Sequence, residues 1–389
     1  MIRVQIFLVF AACGLLVCGC GGSGSGQSAM RRGMTALEER NYPEAIAYLT
    51  RASERIAGSA NLYYHLGYAH WQNGEPNPAA VAFSAALELN PKHGEALTGL
   101  GQIAYYTNNL PQASQLFRQA LTEADIASAD ARASILNSLA LTEKGLGRND
   151  QARLYLLRAM QIDRRYAPAL YNLASLYRTP YNLHEEALDQ LEMYVRIADK
   201  NDAHLEKAHS YITRLRAIVE RTKAETQTSI RRDLAAATRH LDEGVQAQSE
   251  KQFPKAIKSY RAALAADPLA FNAAFGLAMV CKRLNQSADA LEAFKRAGAI
   301  NPNHQDSHLM AAELAVQLRR YEEAEQILDR AIARSPYNPA SARLMASIRH
   351  AQNRLPEARA YGEFYLSLLR ADDQERVNYE KWVRALPEK

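Results

Sequence analysis

His304 and His308 stand four residues apart, the spacing that places two imidazoles on one face of a helix, where they could hold a metal ion. Asp306 lies between them and no glutamate occupies the general-base position of a zinc protease, so both are read as surface histidines. His65 with His70, and His204 with His209, are five apart and fit a shared face less well. No nucleophile elbow, zinc-protease motif, phosphate loop or dinucleotide fingerprint occurs. No catalytic residue, metal or cofactor is therefore expected, and the chain is not read as an enzyme.

What remains is recognition, and composition narrows its partners. Lysine and arginine number 47 against 42 aspartate and glutamate, and the resulting +5 is spread along the chain rather than gathered in a block, which gives no case for nucleic acid. With 389 residues, 48% of them apolar, there is ample material for a packed interior. Many alanines and 20 tyrosines beside only 14 prolines and 19 glycines favour helices over a β-rich architecture.

The elements that must position any binding residue are set by a repeat. Gly33, Gly67 and Gly101 are 34 apart, as are Ala45, Ala79 and Ala113, and Ala52, Ala86 and Ala120. The second half has Gly244, Ala278, Ala312 and Ala346, then Ala256, Ala290, Ala324 and Ala358, then Ala263, Ala297 and Ala331. A fixed period of this length signals stacked supersecondary units. Within a unit the apolar residues keep helical spacing, as in Leu62, Leu66 and Ala69 followed by Ala79, Phe83, Ala86 and Leu87, so each unit is a helical hairpin. Small residues let the helices approach, and Phe83, Phe117, Tyr260 and Phe294 fill the space between hairpins.

The pattern Tyr63-x2-Leu66-Gly67…Ala79-x3-Phe83-x2-Ala86…Pro91 resembles a tetratricopeptide repeat. The resemblance covers roughly 26–59, 60–93, 94–127, 133–166 and 167–201, then 237–270, 271–304, 305–338 and 339–372, with residues 128–132 inserted and one extra residue before Ala187. It implies an all-α fold, an α-solenoid of hairpins. Tyr211 and Trp382 lie 17 residues beyond Tyr194 and Tyr365, and Leu215 and Leu386 lie 21 beyond, so the helices near 203–220 and 373–386 read as two end caps. Two tandem arrays follow, 29–222 and 237–389, joined by a linker at 223–236. One continuous solenoid is the alternative, because Ala187 to Ala256 is 69 residues, one more than two periods. Cys281 falls where such repeats bury a residue and reads as a small core hydrophobe.

Ahead of the repeats, Arg3 and the apolar run Ile6 to Val17 have the form of a secretory signal. Val17-Cys18-Gly19-Cys20 resembles the lipobox of bacterial lipoproteins, which implies removal of residues 1–19 and lipidation of Cys20. Residues 20–28, rich in glycine and serine, are expected to form a flexible tether behind the anchor. Gly21 offers no acidic retention signal, so an outer-membrane location facing the periplasm is expected.

In the family that the repeats resemble, the exposed face of each first helix lines a concave surface. The resemblance thus nominates a peptide-binding groove of Tyr64, Tyr68, Trp71, Tyr105, Tyr106, Tyr171 and Arg178, with Met34, Leu37, Asn137 and Lys144 beside them. Tyrosine and tryptophan offer broad area with a polar tip at small entropic cost. The expected partners are proteins or peptides, with the membrane engaged through lipid and the oligomeric state open. The competing reading is a carbohydrate- or cell-wall-binding, or weakly hydrolytic, envelope protein, in which tyrosines stack on sugars. Glycosidic chemistry needs two carboxyls across a pocket, whereas Asp and Glu here are read as following solvent-facing helix surfaces.

Overall fold

A computed structural model describes residues 22–123, 128–228 and 232–387. The signal segment, Cys20 and residues 229–231 of the expected linker lie outside the described residues. Those described hold twenty helices and no strand, and the chain divides into two compact units, Met1–Ile126 and Ala127–Lys389.

In the first unit α1 (Gly22–Glu38) pairs with α2 (Tyr42–Ser53), α3 (Ala60–Gln72) with α4 (Pro76–Leu89), and α5 (Gly94–Tyr106) with α6 (Leu110–Glu123). Prolines in the first turn of α2 and α4 sit where no amide donor is needed, and Ser59 Oγ accepts the Leu62 amide to start α3. Each hairpin turns at one left-handed residue: Arg40, Gly74 and Asn108, spaced by 34. The series resumes at Gly147 and Asn182, displaced by the five-residue insertion and the single extra residue, and then at Lys251, Asn285, Arg319 and Asn353, again 34 apart. Backbone geometry thus carries the period that the alanines carry in sequence, and every alanine of those ladders is 0% exposed.

Small residues set the approach of neighbouring hairpins. The Phe83 ring lies between Gly67 on α3 and Gly99 on α5: a methyl on Gly67 would come within 2.7 Å of it and one on Gly99 within 2.5 Å. Tyr260 occupies the same kind of slot between Gly244 and Gly276.

The second unit contains α7 (Ala129–Gly145) with α8 (Asn149–Ile162), α9 (Ala167–Arg178) with α10 (His184–Ile197), and α11 (Leu205–Thr228) packed on α10. It continues with α12 (Leu234–Ser249) and α13 (Phe253–Ala266), α14 (Phe271–Arg283) and α15 (Ser287–Ile300), α16 (Gln305–Gln317) and α17 (Tyr321–Arg334), α18 (Pro339–Ala351) and α19 (Leu355–Leu368), and α20 (Gln374–Ala385) against α19. The expected caps are α11, which buries Ile212, Leu215 and Val219, and α20, which buries Val383.

Three expectations need correction. The expected tether is α-helical from Gly22: Gly26 lies so close to Ile56 that a methyl there would sit 2.9 Å from it, and Arg55 donates to Ser25 at 2.6 Å. Packing on α2 offsets the entropy of ordering this glycine-rich turn. The stretch 223–236 is not wholly linker either, because α11 runs to Thr228, with Lys223 bound to Glu185 at 2.7 Å, and α12 begins at Leu234, capped by Asp233. Finally, the compact division falls at 126–127 rather than at 223–236.

The reason for that division is a seam within the second unit. There α19 packs on α8, Arg334 of α17 pairs with Glu185 and Glu186 of α10 at 2.6 and 3.0 Å, and the Tyr337 hydroxyl donates to the Leu157 carbonyl. At the centre, Arg153 is 0% exposed; its Nη1 meets Asp329 at 2.8 Å and its guanidinium lies 4.2 Å from the Tyr181 ring. Arg349 joins Asp150 at 2.8 Å and also pairs with Glu325. Charges read from sequence as solvent-facing are here the core of a contact between hairpins about two hundred residues apart.

Candidate functional site

The nominated residues divide between the units. Tyr64, Tyr68, Trp71, Tyr105 and Tyr106 lie on α3 and α5 of the first; Tyr171 and Arg178 lie on α9 of the second. In the first unit the roles separate further. Tyr64 is packed, its ring 5.2 Å from His93 and 6.0 Å from Phe83. Burial first, then the Glu95 carboxylate and Tyr68, push its phenol up to about 12. Met34 is partly buried and Leu37 packs against the core. Tyr68, Tyr105 and Tyr106 are 37%, 42% and 71% exposed. Trp71, partly buried, meets Tyr106 edge-on at 5.7 Å and so joins α3 to α5. Tyr64 is thus a spacer, while Tyr68, Tyr105 and Tyr106 present aromatic area to solvent.

In the second unit the first helices α7 and α9 are bridged by polar pairs. Asn172 donates to Asn137 at 2.9 Å, and Lys144 Nζ donates to Ser175 Oγ at 2.8 Å. Tyr171 packs between Tyr194 and His204, with centroids 5.3 and 4.8 Å away. Arg178 lies over the Tyr211 ring of α11 at 4.1 Å.

Farther along the same unit, α16, α18 and α20 enclose an open cleft of about 480 Å3, lined by Leu309, Glu313, Arg343, Glu375, Tyr379 and Trp382. Tyr379 and Trp382 were read from sequence only as part of a cap. Their signal was the equal offset of Tyr211 and Trp382 in the two caps, for both rings border first helices of their arrays.

The histidine pair is not a surface feature. His304 is partly buried and its Nδ1 accepts the Ser307 amide at 3.2 Å, capping α16. His308 is buried at 9% exposure, and its Nε2–H donates to the Pro302 carbonyl at 3.0 Å. Cys281 is 0% exposed, as a core residue should be, and burial pushes its thiol up. Among the described residues, no group of three His, Cys, Asp or Glu side chains is placed to hold a metal.

His308 yields a pH prediction. Burial lowers its pKa below the ordinary 6.5; the charges of Arg334, Arg330 and His304 act the same way, and the Pro302 carbonyl opposes them. The unfolded chain therefore binds a proton more readily than the fold does. This contribution to stability is fully present above pH 6.5 and is lost as pH falls from there through the folded value. His308→Gln is expected to flatten the pH dependence of urea unfolding between pH 7.5 and 5 by up to about 1.4 kcal/mol per pH unit. Equal slopes for the two proteins would show that His308 is not held neutral by the fold.

Comparison with known proteins follows the hairpins. Models of the tetratricopeptide repeat match residues 30–80, 66–131, 133–166, 241–305 and 283–348. Protein O-mannosyl-transferase TMTC3 of Homo sapiens is 28% identical over 153 residues, 39% of this chain and 16% of that protein. The probable UDP-N-acetylglucosamine–peptide N-acetylglucosaminyltransferase SPINDLY of Hordeum vulgare is 23% identical over 154 residues, again 39% and 16%. The chain thus spans about a sixth of the length of these relatives. Among solved structures, that of MamA is 17% identical with a TM-score of 0.38, covering 42% of this chain and 92% of MamA. The matched segments together take in most of the hairpins described above, and the chain belongs to the tetratricopeptide repeat family.

Proposed function

We propose that this chain is a lipid-anchored scaffold of the bacterial cell envelope, held at the outer membrane facing the periplasm, that binds protein or peptide segments along its first helices. The observation that carries the reading is the exposed aromatic set Tyr68, Tyr105 and Tyr106 on α3 and α5. Their backbones are fixed by the Phe83 slot and by the Trp71–Tyr106 contact, so little conformational entropy is lost when a segment docks. The anchor in this reading is Cys20, two residues ahead of α1. No described helix is long and apolar enough to cross a membrane, so attachment would rest on acyl chains, of which stable anchoring needs more than one.

The test has two arms. Capture of envelope proteins by the full chain is expected to fall at least tenfold when Tyr68, Tyr105 and Tyr106 are all changed to Ser, and equal recovery would remove the groove from the proposal. Cys20→Ser is expected to abolish incorporation of labelled palmitate and move the protein to the soluble fraction. Labelling that survives the change would remove the anchor.

A further inference from the structure

The cleft between α16, α18 and α20 combines two aromatic rings with charges of both signs. Tyr379 and Trp382 stand three residues apart on α20, one turn along the same face. Their centroids are 4.9 Å apart and their planes are inclined at 50°. Neighbours hold both rings in place. Tyr379 meets Tyr365 edge-on at 4.6 Å, and Trp382 meets His350 at 5.6 Å. Trp382 also lies against Gly362 of α19, where a methyl would sit 3.2 Å from Cζ3. Tyr365 in turn donates its hydroxyl to Glu375 at 3.1 Å, which orders one carboxylate of the cleft.

The charges decide what such a pair of rings can take. Glu313 of α16, Arg343 of α18 and Glu375 of α20 all line the cleft and are exposed. An alkylammonium group would suit the rings and the carboxylates. Arg343, however, lies close enough to both Tyr365 and Tyr379 for its charge to oppose the rise that burial gives their phenols. A cation would therefore enter against a guanidinium, and an anion would meet Glu313 and Glu375. What fits is a neutral ligand that offers donors to the carboxylates, acceptors to Arg343 and Asn378, and an apolar face to the rings. A pyranose ring has all three: hydroxyls around its edge, and C–H faces, polarised by the neighbouring oxygens, that meet the negative π-face of an aromatic. The cleft volume of about 480 Å3 lies within the range of small-ligand sites.

We propose that this cleft binds a pyranose glycan, stacked on Tyr379 and Trp382 and hydrogen-bonded through its hydroxyls to Glu313, Arg343 and Glu375. The rings and Glu375 are already ordered by Tyr365, His350 and Gly362, so little freedom is lost on binding. The site goes beyond the reading of the chain as a segment-binding scaffold. It lies in a different unit from Tyr68, Tyr105 and Tyr106, so the two can fail separately.

The test is calorimetric titration of the full chain with the β-1,4-linked tetrasaccharides of N-acetylglucosamine and of glucose, and with a twelve-residue Gly-Ser peptide as a neutral chain without sugar rings. At least one tetrasaccharide is expected to bind, with a loss of about tenfold for Trp382→Ala and near-retention for Trp382→Tyr. Glu313→Gln and Arg343→Gln are each expected to weaken it about fivefold. Both residues are exposed, so these two variants keep the fold even if Trp382→Ala loosens α20. Salt at about 1 M, where the screening length is about 3 Å, is expected to leave the affinity unchanged because the ligand carries no charge. The tighter of the two sugars distinguishes an N-acetylated strand of the cell-wall type from a plain glucan. Absence of binding by both sugars, indifference to Trp382→Ala or to both Gln changes, equal or tighter binding of the peptide, or a steep loss of affinity in salt would each overturn the proposal. If that happens while changing Tyr68, Tyr105 and Tyr106 still abolishes partner capture, the scaffold reading stands and only this site is lost.

Discussion

Arg153→Met is expected to destabilise the second unit by about 3–5 kcal/mol, because it leaves carboxylates in the α8–α19 seam without their counter-charge. Arg153 touches Asp329 through Nη1, Asp150 through Nη2 at 3.4 Å, the face of Tyr181 and the hydroxyl of Tyr361. Asp329 has the most to lose: burial already raises its pKa, and Arg153 is the charge that chiefly opposes the shift. Asp150 differs. Burial pushes its carboxyl up, but Arg153 and Arg349 together hold it below the ordinary carboxylate range, and Arg349 remains in the variant. The loss should therefore centre on Asp329, and Arg153→Met/Asp329→Leu should recover most of it, since an apolar replacement of a whole buried pair is often neutral or better. Urea unfolding with hydrogen exchange at α8 and α19 reads both effects. A loss under about 1 kcal/mol for Arg153→Met would mean that its ion pairs add little net stability to the seam, and no recovery in the double variant would mean that the cost does not centre on Asp329.

Phe83→Ala is expected to cost the first unit about 3–5 kcal/mol, the range for emptying an aromatic site in a packed interior. The ring is 1% exposed and fills the slot between Gly67 and Gly99. The complementary change, Gly99→Ala, puts a methyl 2.5 Å from Cζ. Such overpacking costs about 1–3 kcal/mol, reduced by the roughly 1 kcal/mol that alanine gains over glycine within a helix. Phe83→Leu removes the atoms that this methyl would strike, so Phe83→Leu/Gly99→Ala should be more stable than the sum of the single changes. Additive values would show that the two residues are not in mutual contact. Because Trp71 and Tyr106 meet across the same pair of helices, Phe83→Ala should also weaken partner capture at temperatures where the unit is still folded.

Much of the local architecture was legible in the chain. The 34-residue ladders identify hairpins, the residues that lie buried between them and the places where the count slips; the left-handed turn residues slip at the same places and by the same amounts. The aromatic positions on α3 and α5 were also readable, although their exposure was not. Tyr64 and Tyr68 occupy the same helix four residues apart, yet one packs against His93 and Phe83 while the other faces solvent. Helical spacing assigns a side chain to a face, but the adjoining hairpin decides whether that face is covered.

By itself the sequence determined what nearest neighbours decide: helix, turn, hairpin and the small-against-large packing of one hairpin on the next, all of which recur within 34 residues. Tertiary structure alone decided what depends on distant residues meeting. It brought α19 to α8, turned Asp150, Arg153 and Arg349 from apparent surface charges into a buried network, drew the glycine-rich segment after Gly22 into a helix against α2, and set Trp382 in a cleft. The physical reason is that a repeat pattern encodes only interactions that recur at each step, whereas a charge is worth burying only where its counter-charge arrives from elsewhere in the chain.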